Sequence, residues 1–405
     1  MADDTASEGE SEGEGEIPAE LLATLPENPR DHLSDNDAGL LDDLFDGDQR
    51  ALARVLTKIE NRSEGARELL AALHGHAGTT PVLGITGSPG AGKSTLVDKL
   101  TDYYREREET VGILAVDPSS PYTGGSVLGD RIRMGSTAGD MGVFIRSMSA
   151  RGRLGGLSMA TTDAVTALDA FGMDRIIIET VGAGQNEVDI VETADTVAVV
   201  VQPGSGDDIQ LLKAGILEIG DIFVVNKADM DEAAGTAADL EAMVHGAEPM
   251  GGAAGHHAVD AADHGDGAVG TDSDGGNTAE NAENTEDGWT PPVVQTVATT
   301  GDGIDAFTAA IEDHGQYLDR SGRADARNRQ RAAATLQRLL QRDLSELSEE
   351  LIDAHGGIDG LAAAVAARET DPYSLVETLT APIATAVQSE TEPLDGVDGP
   401  DDAAD

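Results

Sequence analysis

One octapeptide in this chain has the composition of a phosphate cradle. Gly87-Ser-Pro-Gly-Ala-Gly-Lys93-Ser94 satisfies the pattern G-x-x-x-x-G-K-S/T in full. Glycines at Gly87, Gly90 and Gly92 let a backbone curl until successive N–H groups face phosphate oxygens. Lys93 then supplies a point charge between β- and γ-phosphates, and the Ser94 hydroxyl is placed to ligate Mg²⁺. The expected phosphate-binding set is Gly87, Ser88, Gly90, Ala91, Gly92, Lys93, Ser94 and Thr95.

A second group of residues chooses the base. Asn226-Lys-Ala-Asp229 has the N-K-x-D arrangement, about 130 residues after the loop. A carboxylate at Asp229 accepts hydrogen bonds from N1 and the exocyclic amine of guanine. Adenine lacks that donor pair, so the wrong base leaves polar groups unpaired. Asn226, Lys227 and Asp229 are therefore expected at the base. Val297, Ala298 and Thr299, which close Thr296–Thr299, are expected to contact it through backbone N–H groups. GTP or GDP is the ligand these residues predict.

The residues for metal and hydrolysis are more scattered. Glu179-Thr-Val-Gly182 ends an apolar run; Glu179 can hold Mg²⁺ or its water, and Gly182 N–H can reach a γ-phosphate. Common GTPases have Asp at this acidic position and Gln directly after the glycine. Here the residues are Glu179 and Ala183, with Gln185 two positions further on. Slow intrinsic hydrolysis follows unless a partner assists. Asp117 in Asp117-Pro-Ser-Ser-Pro121 and Asp130 in Gly129-Asp-Arg131 read either as capping residues or as further metal ligands. The catalytic candidates are Lys93, Asp130, Glu179 and Gly182, and the metal candidates Ser94, Asp117, Asp130 and Glu179.

Such loops need strands and helices to aim them. Short Val/Ile-rich runs at Val82–Thr86, Val111–Val116, Val143–Ser147, Arg175–Glu179, Thr196–Val201, Ile222–Val225 and Val293–Val297 alternate with helical segments. Continuous apolar runs suit strands buried on both faces. The expected fold is α/β, a doubly wound and mainly parallel sheet over residues 79–312. Helical extensions flank it at 36–78 and 316–384, the second with a leucine stripe from Leu336 to Leu351. Acidic ends at 1–35 and 385–405 are expected to be disordered. Residues 231–290 carry 14 acidic residues without Lys or Arg, and read as an insertion with a helix near Thr236–Val244. Its His245, His256, His257 and His264 have no rigid element to fix them as metal ligands.

Composition narrows the classes further. The 405 residues carry 76 acidic against 26 basic groups, a net charge of −50. No basic face is available for nucleic acid. With no cysteine, disulfides and thiolate chemistry are excluded. The acidic start and the lack of a long apolar run predict a cytoplasmic protein with neither signal peptide nor membrane contact. Self-repulsion on this scale is relieved by molar salt, which points to the cytoplasm of an extreme halophile. Only five lysines remain, Lys58, Lys93, Lys99, Lys213 and Lys227, as if each survived where an ammonium is required.

Taken in order, these segments resemble the methylmalonyl-CoA mutase-associated GTPases, the MeaB/ArgK group, from about Leu44 to Leu379. The signatures are GITGSPGAGKSTL at 84–96, VDPSSP at 116–121, GDRIRM at 129–134, FIRSMSARGRLGGLS at 144–158, ETVGAGQNEVDI at 179–190, PGSGDDIQLLKAGILEI at 203–219 and NKADM at 226–230. The resemblance implies a homodimer joined through the C-terminal helices and a B12-dependent acyl-CoA mutase, methylmalonyl-CoA mutase, as partner. It implies that GTP gates adenosylcobalamin loading and protects that enzyme. Asp117, Asp130 and Glu179 would surround Mg²⁺, and Gly206 to Lys213 would form a third switch. Ala183, often Val in the family, the acidic insertion and the long N-terminus are departures. Two other functions compete: a kinase component of lysine/arginine/ornithine transport, and a nickel-insertion GTPase.

Overall fold

The computed structural model describes residues 23, 24, 26, 28–117, 140–149, 156–180, 193–204, 219–246 and 288–391. Two compact units divide after Arg331. The first is built on seven parallel strands: β1 (Val82–Gly87), β2 (Val111–Asp117), β3 (Val143–Ser149), β4 (Arg175–Thr180), β5 (Thr196–Val201), β6 (Ile222–Asn226) and β7 (Val293–Thr296). Their order across the sheet is β3-β2-β4-β1-β5-β6-β7. After β1 the chain fills one side of the sheet, then crosses to the other at β5. The ends of β1 and β5 therefore flank a crevice where ligands of such sheets bind.

The apolar runs are continuous because each strand feeds two cores. Ile176 and Ile178 of β4 join one, together with Leu52, Leu69 and Leu168. Ile177 faces the other, with Leu96, Leu100, Phe307 and Ile311. The first core is covered by α1 (Asp35–Phe45), α2 (Gln49–Glu60), α3 (Ala66–His74), α5 (Gly156–Phe171) and α6 (Ala233–Gly246); the second by α4 (Lys93–Arg105) and α7 (Ile304–Arg320).

Three boundaries differ from expectation. Order begins before residue 36, because Asn28 caps a 3₁₀ turn over Pro29–His32 and Ser34 caps α1. The Asp37 carboxylate near that cap is buried and paired with Lys58 Nζ at 2.5 Å. The sheet unit also extends past residue 312. His314 interrupts the apolar periodicity of α7, yet it is buried against the Thr196 hydroxyl (2.8 Å) and Asp221 (3.3 Å). Beyond Gly322, Arg327 and Arg331 still bond to Asp221 and Asp195 at the starts of β6 and β5. The last helix, finally, runs to Thr391 rather than 384.

The second unit contains most of α8 (Arg323–Ala354), then α9 (Gly357–Ala366) and α10 (Pro372–Thr391). Neither α8 nor α9 has a buried residue among those described. Leu336, Leu340, Leu344 and Leu347 are 52–63% exposed. No helix among the described residues is long and apolar enough to cross a membrane. Of the acidic segments expected at 1–35, 231–290 and 385–405, the parts at 1–22, 247–287 and 392–405 lie outside the described residues.

Candidate nucleotide site

The phosphate loop owes its shape to contacts that tolerate no side chain. At Gly87, φ is +130° and a Cβ would stand 1.9 Å from Val200 O. At Gly92, φ is +93° and a Cβ would lie 2.4 Å from Asn226 Nδ2. The helical ladder of α4 starts with Leu96 N–H donating to Gly92 O at 2.9 Å. Amides ahead of that bond, those of Ser94 and Thr95 among them, are left outside the ladder, as anion binding at a helix start requires. Ser88 and Ala91, also expected at the phosphates, have amides with acceptors inside the protein. Ser88 N–H donates to Val200 O and Ala91 N–H to Ser88 O, so both amides brace the loop.

Lys93 is buried, its ammonium folded into the loop and donating to Gly87 O at 2.7 Å and Ser88 O at 3.0 Å. Ser94 Oγ donates to Glu179 Oε1 at 2.5 Å. A hydroxyl and a carboxylate side by side form a hard-oxygen pair of the kind Mg²⁺ selects. Thr180 follows, its hydroxyl donating to Thr86 Oγ1 at 3.0 Å in a buried pair that ties β4 to β1 beside the loop. The Asp117 side chain, Asp130, Gly182, Ala183, Gln185 and Gly206 to Lys213 lie outside the described residues. So do His256, His257 and His264, and no group of three metal-ligating acidic or His residues occurs among those described.

The base motif is stitched to the phosphate loop. Asn226 Nδ2 donates to Ala91 O at 2.8 Å, while its Oδ1 accepts Ala298 N–H and the Thr296 hydroxyl, both at 3.1 Å. Lys227 Nζ donates to Gly90 O at 2.8 Å and to Gln202 Oε1 at 2.7 Å. Together with Gly92 and Thr95, the residues Asn226, Lys227, Asp229, Met230 and Val297 to Thr299 line a cleft of about 270 Å³. Asp229 is exposed at its rim.

Of the backbone N–H groups expected to meet the base at 297–299, two have acceptors within the protein. Val297 N–H donates to Asp302 O and Ala298 N–H to Asn226 Oδ1. Of these three amides, Thr299's alone makes no bond among the described residues. The turn that returns Asp302 O to Val297 N–H is tight: Gly303 sits at φ +81°, and a Cβ there would stand 2.1 Å from Gln295 O. Sequence reasoning named every lining residue as part of the site except Met230, which is also the exposed apolar wall of the cleft. Gln202 carries no motif signature and emerges only from its bond to Lys227.

Comparison with known proteins agrees with this geometry. The sequence profile of the methylmalonyl-CoA mutase-associated GTPase MeaB matches residues 52–352. A Pyrococcus abyssi protein with a provisional GTPase name is 43% identical over 338 residues, spanning 84% of this chain and 94% of its own length. The GTPase ArgK of Escherichia coli is 39% identical over 192 residues, 46% of this chain and 58% of its own. The mouse (Mus musculus) mitochondrial methylmalonic aciduria type A homolog is 36% identical over 230 residues, 52% of this chain and 55% of its own. A crystal structure of an LAO/AO transport system kinase superposes with a TM-score of 0.58 at 23% identity, covering 87% of this chain and 99% of that one; it bears on the fold alone. With a guanine-type base motif bonded to a complete phosphate loop, this chain belongs to the methylmalonyl-CoA mutase-associated GTPase (MeaB) family and is a P-loop GTPase.

Proposed function

We propose that this GTPase is a chaperone for a B12-dependent acyl-CoA mutase, methylmalonyl-CoA mutase first among them. GTP binding and hydrolysis would gate adenosylcobalamin loading and protect the loaded enzyme. The observation that carries the reading is the direct bonding of the base motif to the phosphate loop, Asn226 on Ala91 and Lys227 on Gly90. One rigid frame can then sense both ends of GTP. The family's name supplies the partner.

In this reading the first-turn amides of α4 and the Lys93 ammonium bind the phosphates. Asp229 selects guanine, and Met230 covers an apolar edge of the base. Ser94 and Glu179 would hold Mg²⁺, with Asp117 and Asp130 as further ligands; the ion would neutralise charge developing on the phosphates. Ala183 supplies no polar group to orient water, so turnover is slow until the partner binds. The exposed leucines of α8 support a homodimer through the C-terminal helices. The net charge of −50 supports a halophile's cytoplasm and argues against nucleic-acid partners.

The test mixes the full chain with the mutase in molar KCl. Nucleotide-dependent complex formation and faster GTP turnover in the complex are expected. Seeing neither rejects the chaperone reading while leaving the GTPase assignment intact.

A further inference from the structure

Lys227 is a lysine in the left-handed backbone region, at φ +59°, which L side chains rarely adopt. That turn throws its side chain back across the phosphate loop. There the ammonium meets two acceptors, Gly90 O at 2.8 Å and Gln202 Oε1 at 2.7 Å. The first belongs to the loop. The second belongs to a half-buried residue directly after β5, outside every motif.

Gln202 is well placed to act as a fixed post. Two residues earlier, Val200 O accepts Ser88 N–H, and Gly87 packs against Val200 too closely for any side chain. The end of β5 is thus locked to the phosphate loop. A lysine stem held by one acceptor keeps much of its rotamer freedom, and nucleotide binding would have to remove it. A second acceptor, itself fixed, removes that freedom in advance.

We propose that Gln202 is a positioning residue for the guanine site, its side-chain carbonyl pinning the Lys227 ammonium over Gly90 so that the lysine stem forms a preset wall of the base cleft. The inference rests on the guanine-site reading and deepens it. Its signature is selectivity: ligands with a base feel Gln202, and bare phosphates do not. A residue that merely braced the sheet end would affect both alike.

The experiment titrates the full chain in molar KCl with GDP, with ADP and with inorganic tripolyphosphate, which fills the phosphate loop without a base. Gln202→Leu removes the acceptor at similar volume; Gln202→Glu restores an oxygen at the same reach. The Leu variant should bind GDP about tenfold more weakly and tripolyphosphate within about twofold of the parent. The Glu variant should recover most of the loss. Should Gln202→Leu not fold, Gln202→Asn, polar but too short, takes its place. Unchanged GDP affinity, or equal losses for GDP and tripolyphosphate, overturns the inference. A parent chain that binds tripolyphosphate yet fails to prefer GDP over ADP instead brings down the guanine reading, and this inference with it.

Discussion

Single residues in this site work through backbone as much as through side-chain chemistry. Gly92 combines φ +93° with a neighbour, Asn226 Nδ2, that a Cβ would meet at 2.4 Å. Gly92→Ala therefore strains the loop and displaces the amide that ties Ala91 to Ala298. A loss of about 1–3 kcal/mol is expected from the backbone conformation. The thermal stabilisation that GDP gives the parent should vanish in the variant, and its persistence would refute the role given to this glycine. Asp229 tests the base instead. Asp229→Asn exchanges an acceptor for a donor at the guanine edge, so GDP affinity should fall on the order of a hundredfold or more. Xanthosine nucleotides should gain correspondingly, a pattern that competition binding reads directly. Lys58 is one retained lysine with a structural partner: its ammonium pairs with the buried Asp37 carboxylate at 2.5 Å.

At the scale of elements, α7 is anchored by a polar cluster that composition alone would place at the surface. His314 lies between Thr196 and Asp221, and Trp289 covers it with ring centroids 4.8 Å apart while its Nε1 donates to Asp221 O. Burial alone would raise the Asp221 pKa. The hydrogen bond from His314 and the charges of His314 and Arg327 outweigh it, and the net effect is a lowered value. A lowered folded-state pKa contributes stability above the unfolded value, near pH 4, and loses it as pH falls through the folded value. Asp221→Asn should therefore cost about 2 kcal/mol at neutral pH, with the gap to the parent closing below about pH 4. Trp289, the only tryptophan of the chain, reports denaturant unfolding at each pH. A gap independent of pH would contradict the ionised cluster.

At the scale of the whole molecule, charge and the exposed leucines of α8 are what can be tested. At −50, the chain repels itself over a Debye length of about 10 Å in 0.1 M salt, against about 3 Å at 1 M. Melting temperature should fall by about 10 °C or more on moving from molar to 0.1 M KCl. Flat stability across that range would remove the halophile reading. In molar KCl, light scattering should give twice the chain mass of 41.7 kDa. Leu340→Asp with Leu344→Asp should halve it, since both side chains are more than half exposed on α8. A parent that scatters as a monomer would dispose of the dimer.

Much of the fold and the site was legible before any coordinates. All seven strands could be read from their apolar runs, because a parallel sheet buried on both faces writes continuous Val/Ile segments into the chain. The phosphate loop and Asn226 to Asp229 were legible for a related reason: backbone curvature demands glycine at fixed spacings, and base selection demands a carboxylate. What required the tertiary structure were relations between distant segments. That Ser88, Ala91, Val297 and Ala298 turn their amides inward depends on acceptors which, for Ser88 and Ala298, lie on other strands. That His314 is core depends on Asp221 arriving beside it, and that Lys227 has a second anchor depends on β5 ending at Gln202. Local pattern encodes what a residue's own backbone and burial require; it carries no record of which remote atom completes its hydrogen bonds.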